Sequence, residues 1–288
     1  MSIVGRPNVG KSTLLNRILG RKVSIVSDKP QTTRTQVRGV LNRPEGQIVF
    51  VDTPGIHKPR TLMGERLNDS AIGTVGDVDV VCLMLDATGP VGRGDRWVAA
   101  RVPEDAVVIV NKCDLVGRHK VLDRLAAASD MTSDEDGSSS ATPSTPPDRE
   151  YFPVSARTGA GVDALVEHLF SRMPIGPHWY PDDMVTDVED AFWVAELVRE
   201  QLLALTRDEL PHSIACRVTE WDWPRVRVEI LVERESQKGI VIGRRGAVLK
   251  EVGTRARRQM APGAFLELHV KVDKDWQRRP KALDRLGY

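Results

Sequence analysis

Cysteine is scarce. Cys82, Cys113 and Cys216 stand far apart in 288 residues, with no C-x-x-C pair among them. That spacing argues against a disulfide framework or a zinc ribbon, and for small buried hydrophobes in a reducing compartment. No apolar run approaches membrane-spanning length and no signal peptide precedes the first motif, so a soluble, intracellular protein is expected. An excess of one charge is lacking too: 41 Lys and Arg face 40 Asp and Glu, a net +1. Such a balance says nothing of partners until the distribution of charge is known. The chain also lacks a full strand ahead of its first motif. Only Met1-Ser2-Ile3-Val4 stands where a central buried strand is expected. The expectation is a native start upstream, or an alternative start codon read as Met1.

What is present begins at once. Gly5-Arg6-Pro7-Asn8-Val9-Gly10-Lys11-Ser12 fits G-x-x-x-x-G-K-[ST], a loop whose backbone N–H groups curl around nucleotide phosphates. Gly5 and Gly10 permit close approach and left-handed backbone angles. Arg6, Pro7, Asn8 and Val9 form the curl, Lys11 sets a point charge between the β- and γ-phosphates, and Ser12 offers its hydroxyl to Mg²⁺. Thr13 follows inside a helix, Lys11 to Leu19, whose dipole also favours anions.

A polar stretch, residues 27–35, leads to a hairpin of Val37–Leu41 and Gln47–Val51 around Pro44-Glu45-Gly46. Asp52-Thr53-Pro54-Gly55 follows directly. An Asp at the end of a strand beside the phosphate loop holds Mg²⁺ through its water shell, and the Gly55 amide senses the γ-phosphate. Val78–Leu85 and Ala106–Val110 are continuous apolar runs of strand length, as in parallel strands covered on both faces. Helices expected over Leu62–Val75 and Asp95–Arg101 give βα alternation. The second run ends in Asn111-Lys112-Cys113-Asp114. The Asp114 carboxylate can accept from guanine N1–H and its 2-amino group together, which adenine cannot match. Asn111 would tie this loop to the phosphate loop and base edge, with the Lys112 stem over the ring. A last strand, Tyr151–Val154, runs into Ser155-Ala156-Arg157, where a backbone N–H can reach guanine O6. Four motifs in order, each at a strand end, imply a guanine-nucleotide-binding domain with GTP and GDP as ligands and Mg²⁺ as cofactor. It should span 1–173.

Residues 129–149 are acidic and rich in Ser, Thr and Pro, the composition of a solvated, disordered insertion. Residues 174–187 read as a stiff linker. From 188 to 288 a second domain is expected. Its amphipathic helix runs from about Asp190 to Leu205, and two strands follow, Ser213–Thr219 and Arg225–Glu233. Then Gly243-Arg244-Arg245-Gly246 lies between apolar residues and a basic helix (Lys250, Arg255, Arg257, Arg258). That is the layout of a KH module, whose Gly-rich turn clamps a single-stranded nucleic-acid backbone beside an apolar groove. The expected RNA-binding set is Lys238, Gly239, Ile240, Ile242, Gly243, Arg244, Arg245, Gly246, Lys250 and Arg257. The tail adds basic residues around Trp276, which suits RNA as well. Trp221 and Trp223 flank a strand turn and read as partial core. The fold class is α/β: a mixed, mostly parallel, doubly wound P-loop domain followed by an α+β, type II KH domain.

The phosphate loop, Gln31-Thr32-Thr33-Arg34, Asp52-Thr53-Pro54-Gly55-Ile56-His57, Asn111–Asp114, Tyr180–Met184 and Lys238–Gly246 together resemble the Era family of GTPases, nearly end to end. The resemblance implies a cytoplasmic GTPase in peripheral contact with the inner face of the cell membrane. It also implies binding to the 3′ end of 16S ribosomal RNA through the KH domain and assistance in 30S subunit assembly, by a monomer. Carried over from the family, Thr33, with Thr32 as the less favoured alternative, would contact Mg²⁺ in the GTP state. The rival readings are a nucleotide-gated RNA scaffold with negligible turnover and a membrane-linked regulatory GTPase.

One absence bears on the chemistry. In many such enzymes a Gln after D-x-x-G orients the attacking water, but Ile56 stands there and can neither donate nor accept. His57 is adjacent, though a neighbour along a loop points away. Catalysis is assigned to Lys11, Thr33, Gly55 and Asn8. For the last, the resemblance to related GTPases with an Asn in the phosphate loop implies a K⁺, held partly by the Asn8 amide oxygen, where an arginine would otherwise place charge.

Overall fold

A computed structural model describes residues 1–59, 61–131, 149–206 and 210–288. The insertion expected at 129–149 lies, over 132–148, outside the described residues. Two compact units result. Met1–Ser24, Thr33–Pro59 and Leu67–Asp187 form the first; Ile25–Thr32, Arg60–Arg66 and Val188–Tyr288 form the second.

This differs from a cut near 173 in two ways. Residues 25–32 and 60–66 group with the C-terminal unit, because their partners lie there: Glu200 accepts the Val26 N–H, Arg199 donates to the Thr32 carbonyl, and Arg66 meets Asp284 at 2.6 Å. Residues 174–187 belong with the first unit and are no free spacer. Val40 N–H donates to Val185 O at 2.8 Å, and Asn42 Nδ2 donates to the carbonyls of Asp182 (2.8 Å) and Met184 (3.1 Å). The linker is thus fastened along an edge strand, where unpaired backbone groups invite pairing.

The first unit alternates strand and helix: β1 (Ser2–Gly5), α1 (Lys11–Leu19), β2 (Val37–Arg43), β3 (Gly46–Asp52), α2 (Leu62–Gly76, in this unit from Leu67 on), β4 (Val81–Asp86), α3 (Arg93–Ala99), β5 (Val107–Asn111), α4 (Arg118–Ser129), β6 (Tyr151–Pro153) and α5 (Val162–Arg172). The sheet order is β2-β3-β1-β4-β5-β6, parallel throughout except for the β2–β3 hairpin. Every residue of β1 and β5 is buried, as the unbroken apolar runs require of strands covered by helices on both faces. Helix α3 starts two residues before the expected Asp95 because the Asp95 carboxylate accepts the Gly92 N–H at 2.9 Å and caps the first turn. Helix α4 was not anticipated from its pattern: it buries only Ala128.

The second unit continues with α6 (Asp190–Leu205), α7 (Leu210–Ser213), β7 (Ala215–Asp222), β8 (Arg225–Val232), α8 (Glu235–Ile242), α9 (Ala247–Arg257), β9 (Phe265–Val272) and α10 (Pro280–Leu286). Its sheet runs β7-β8-β9, with β7 antiparallel and β9 parallel to β8. One core unites Leu197, Val198 and Leu202 of α6 with Val226, Val228, Ile230 and Val232 of β8, Val252 and Ala256 of α9, and Val270. Strand β7 runs three residues beyond the expected Thr219, so Trp221 and Trp223 sit at the hairpin turn. They are exposed rather than core, with ring centroids 6.3 Å apart. The tail is also corrected. Trp276 is fully buried with its indole N–H on Ser213 O (3.0 Å), and Arg279 and Arg285 both pair with Asp273, so these groups are not free for RNA.

Candidate functional site

The strands of the first unit deliver the sequence motifs to one edge, the C-terminal ends of a parallel sheet, where such folds bind ligands. Gly5–Thr13 leaves β1, Asp52–Gly55 leaves β3, Asn111–Asp114 leaves β5 and Ser155–Arg157 follows β6. In the phosphate loop Asn8 takes φ 65° and Gly10 φ 107°. A Cβ on Gly10 would lie 2.2 Å from Asn111 Nδ2, and one on Gly55 would lie 2.7 Å from Pro7 Cα. Both glycines are needed because the loops touch there. Lys11, at the start of α1, curls its Nζ toward the carbonyls of Gly5 (3.3 Å) and Arg6 (3.2 Å). Burial pushes its ammonium down to about 8, with Asp52 opposing.

Four oxygens meet beneath this loop. Asp52, with no exposed surface, accepts at Oδ2 from Ser12 Oγ (2.6 Å), Ser24 Oγ (2.8 Å) and Thr33 Oγ1 (3.3 Å), while Ser12 and Thr33 lie 3.0 Å apart. Asp52 Oδ1 is buried with no hydrogen-bond partner among the described residues. Burial lifts the Asp52 carboxyl above its ordinary value, opposed by Ser12, Lys11, Ser24 and Thr33. An orphaned carboxylate oxygen beside two hydroxyls is a donor set of hard oxygens, and it fits Mg²⁺. A cation here and a phosphate at Lys11 would each favour the charged form that burial disfavours. Ser12, Thr33 and Asp52 are therefore the residues that would hold the metal.

The base-side loops are knitted by Asn111, which is 2% exposed. Its Nδ2 donates to Val9 O (2.8 Å) and its Oδ1 accepts from Ala156 N–H (2.9 Å). The expected tie to the phosphate loop is present. The Ala156 N–H, the nearest candidate for guanine O6, is engaged by Asn111. Asp114 Oδ1 accepts from Ser155 Oγ at 2.7 Å, and Arg157 Nε lies 3.4 Å from its other oxygen. Lys112 reaches Asn8 O (2.7 Å) and Asp86 (2.5 Å), which stretches its stem alongside the phosphate loop. Beside α1 a cleft of about 350 Å³ is lined by Thr13, Arg17, Ala156 and Arg157, among others.

Some expected contacts point elsewhere. The Thr53 hydroxyl is spent on Ile3 O at 2.9 Å, and the Arg6 guanidinium turns to Asp95 at 3.1 Å, so of these two only the backbone is left to face a nucleotide. Ile56 is fully buried in the core with Val4, Ala71 and Leu83. His57 is held by its backbone: Asn68 Oδ1 accepts its N–H (3.3 Å) and Asn68 Nδ2 donates to its carbonyl (2.6 Å). Motif reading missed Ser24, Asp86, Asp95 and Arg17, whose Nε donates to Ala156 O at 3.1 Å. Ser24, Asp86 and Arg17 meet these partners far along the chain, and Asp95 is marked locally only as the cap of α3.

In the second unit the turn between α8 and α9 holds Gly243 (φ 74°), Arg245 (φ 53°) and Gly246 (φ 77°). A Cβ on Gly243 would lie 2.4 Å from Val248 Cγ2, so this turn is pressed onto α9, whereas nothing lies within 4 Å of one on Gly246. Arg244, Arg245, Lys250 and Arg257 are exposed, as are Gly239 and Ile240, the latter by 57%. Lys238 is half-buried, and Ile242 packs on the core and offers little to a ligand. The result is a cationic turn beside an exposed apolar side chain, suited to a phosphodiester backbone with its bases on an apolar surface.

Comparison with known proteins agrees with this geometry. Residues 1–112 match the family model described as 50S ribosome-binding GTPase, and residues 209–277 match the KH domain model. The chain is 46% identical over 302 residues to the GTPase Era of Mycobacterium sp. (strain KMS), covering 99% of this chain and 96% of that protein. It is 45% identical over 303 residues to the GTPase Era of Mycobacterium avium (strain 104), covering 99% and 97%. Among solved structures it superposes on Era in complex with MgGDPNP and nucleotides 1506–1542 of 16S ribosomal RNA. There the TM-score is 0.89 at 37% identity, covering 100% of this chain and 97% of that one. An Aquifex aeolicus Era variant bound to GDP·AlF4⁻ gives a TM-score of 0.88, also at 37% identity and with the same coverage.

Proposed function

Because this chain belongs to the Era family of GTPases, we propose that it binds GTP with Mg²⁺ and hydrolyses it to GDP and phosphate. On this reading it also uses its G-R-R-G turn to bind the 3′-end region of 16S ribosomal RNA and assists assembly of the 30S subunit. The observation that carries the reading is the gathering of Ser12, Thr33 and the orphaned Asp52 oxygen beneath a phosphate loop, in a chain that also presents Arg244 and Arg245 on a Gly-bounded turn.

Each residue has a part. The backbone of Gly5–Thr13 cradles phosphates, and Lys11 neutralises charge on the β- and γ-oxygens. Ser12, Thr33 and Asp52 would hold Mg²⁺, which when bound would supply positive charge against the negative charge that develops on the phosphates. Ser12 and Thr33 orient hydroxyls toward it and Asp52 acts through water. The Gly55 amide meets the γ-phosphate, and Asp114 reads the guanine edge. Asn8, whose backbone oxygen accepts from Lys112 Nζ, would help hold K⁺, which when bound would supply part of the catalytic electrostatics. Cytoplasmic residence as a monomer, with peripheral contact at the inner membrane face, belongs to the same reading. Among the described residues no helix is long and apolar enough to cross a membrane.

Burial of Ile56 favours one rival, an RNA scaffold with negligible turnover. Single-turnover GTP hydrolysis in K⁺ against Na⁺ at fixed ionic strength, for wild type and Asn8→Ala, decides between them. Turnover that is faster in K⁺ and loses that advantage in Asn8→Ala supports the switch; equal rates in both salts end the K⁺ assignment. No hydrolysis at all leaves the scaffold. Crosslinking in cells and sequencing the bound RNA tests the other half: absence of the 16S 3′ end would favour a membrane-linked regulator.

A further inference from the structure

Among the described residues Ile175 is fully exposed and Trp179 is 83% exposed, more than any other large apolar side chain. A loose linker would display them by default, but this segment is held. Gln47 Oε1 accepts the backbone N–H groups of Trp179 (2.9 Å) and Tyr180 (3.0 Å), and Gln47 Nε2 donates to the Tyr180 carbonyl (2.9 Å). Just beyond, Asn42 Nδ2 holds the carbonyls of Asp182 and Met184, and Pro177 and Pro181 restrict the chain on either side of Trp179. All of these residues belong to the first unit.

The backbone at Trp179 is thus fixed while its indole stands in water. The hydrogen bonds do not account for that indole, because any residue other than Pro at 179 would supply the N–H that Gln47 accepts. Leaving so large a side chain outside forgoes burial that the fold could have used. A Trp on an ordered backbone is the form in which interface anchors are displayed, since the ordering is complete before a partner arrives.

The surrounding charge says what kind of partner fits. Arg43 is shared by the exposed Glu45 and Glu167, and Asp182 and Asp183 stand exposed on the segment itself, with His178 Nδ1 2.9 Å from Asp182. Carboxylates outnumber guanidiniums here, so a phosphodiester backbone or an anionic lipid surface is repelled. An apolar pocket rimmed by Lys or Arg is attracted.

We propose that Trp179, with Ile175, anchors a second docking surface whose occupant is a basic protein of the small subunit, which seats the indole in an apolar pocket. The inference rests on the reading that this chain acts on the 30S subunit. It adds to that reading a protein contact made by the first unit, separate from the RNA contact at Arg244 and Arg245.

The test uses the full chain and three probes: purified 30S subunits, a single-stranded RNA copy of the 16S 3′ end, and vesicles of phosphatidylethanolamine and phosphatidylglycerol. Trp179→Ser should weaken 30S binding about tenfold or more, the scale of an interface anchor, while affinities for the RNA and for GDP stay within about twofold. Gln47→Ala keeps the indole but frees its backbone, and should weaken 30S binding less than Trp179→Ser does. Asp182→Lys with Asp183→Lys reads the charge: it should weaken binding to a basic protein, whereas it would tighten binding to RNA or to an anionic bilayer. A benzophenone amino acid at position 179 should form a crosslink on the 30S subunit that protease removes and ribonuclease does not. Wild-type 30S affinity in Trp179→Ser, a ribonuclease-sensitive crosslink, or tighter 30S binding after the charge reversal would each refute the proposal and leave the 30S reading intact. Vesicle flotation that is lost in Trp179→Ser would assign the indole to a membrane and refute it equally. If the wild-type chain binds GDP but not 30S subunits, the 30S reading falls and the docking surface with it.

Discussion

Replacing Asn111 with alanine should uncouple three loops at once. The side chain is buried and makes two directed contacts, Nδ2 to Val9 O at 2.8 Å and Oδ1 from Ala156 N–H at 2.9 Å. Val9 and Ala156 are each 3% exposed, so water does not readily replace the lost partner. A buried backbone group left unpaired costs about 1–3 kcal/mol, and two such groups come to about 2–6 kcal/mol, divided between global stability and preorganisation of the site. If half falls on binding, GDP affinity drops about 5- to 150-fold. Calorimetric titration with GDP reads the second share and chemical denaturation the first. Asn111→Asp separates the two contacts. It keeps an acceptor for Ala156 N–H but sets a carboxylate against the Val9 carbonyl, so it should lose at least as much affinity. An Asn111→Ala protein that binds GDP within about twofold of wild type and unfolds at the same denaturant concentration would show that the loops are held by something else.

Asp114→Asn should weaken GTP on the order of 10⁴-fold and favour xanthosine triphosphate, whose C2 carbonyl matches an amide donor; competition between the two nucleotides reads this directly. Gly246→Asp should abolish RNA binding by setting a negative charge against a phosphate while GDP binding persists, at the modest strain of a side chain at φ 77°, whereas Gly243→Asp should destabilise the unit more, because its Cβ also collides with Val248. Removing Arg244 and Arg245 together should lessen the slope of log K against log salt for single-stranded RNA by about 1.4, two phosphate contacts' worth, and an unchanged slope would make them merely solvated. Burial pushes the Cys82 thiol up to about 12, so at pH 8 only half-buried Cys113 should be alkylated in the native protein, and more slowly with GDP bound. Ile56→Gln should not raise turnover; denaturation should show a loss of about 2–5 kcal/mol.

How much was legible in the sequence depended on the range of each interaction. The phosphate loop, Asp52–Gly55 and Asn111–Asp114 were readable because their demands are local: a left-handed Gly10, a Lys at the helix start, an Asp at a strand end. The order of apolar runs was enough to expect a mostly parallel sheet. Helix α4 escaped because a helix that buries only Ala128 carries no apolar stripe. The tail misled for the opposite reason. Its basic composition looked like an RNA surface, but Arg279 and Arg285 share one carboxylate, Asp273, and Trp276 fills the core. Ser24 on Asp52, Asp86 on Lys112 and Arg199 on Thr32 join residues 26 to 167 positions apart. Pairings at such distances have no spacing rule, and only the folded chain reveals them.

The same distinction governs the missing glutamine. Sequence alone shows only that Ile56 stands where many such enzymes have a water-orienting Gln. The folded backbone allows no such role at this position. Ile56 N–H donates to Gly5 O at 3.1 Å and Gly55 packs against Pro7, so the peptide after Gly55 is fastened to the phosphate loop. Its side chain is thereby sent inward, to Val4, Ala71 and Leu83, away from any nucleotide. For residue 56 to swing outward, that hydrogen bond must break and an isoleucine-sized cavity must open, a cost of about 2–5 kcal/mol before any catalytic gain. A Gln placed there would instead bury an amide among apolar side chains. His57 inherits no freedom either, because Asn68 engages both its N–H and its carbonyl. The side chain of residue 56 is therefore not the group that orients the attacking water. If Ile56→Gln were to hydrolyse GTP faster than wild type with its stability intact, this account of the loop would be wrong.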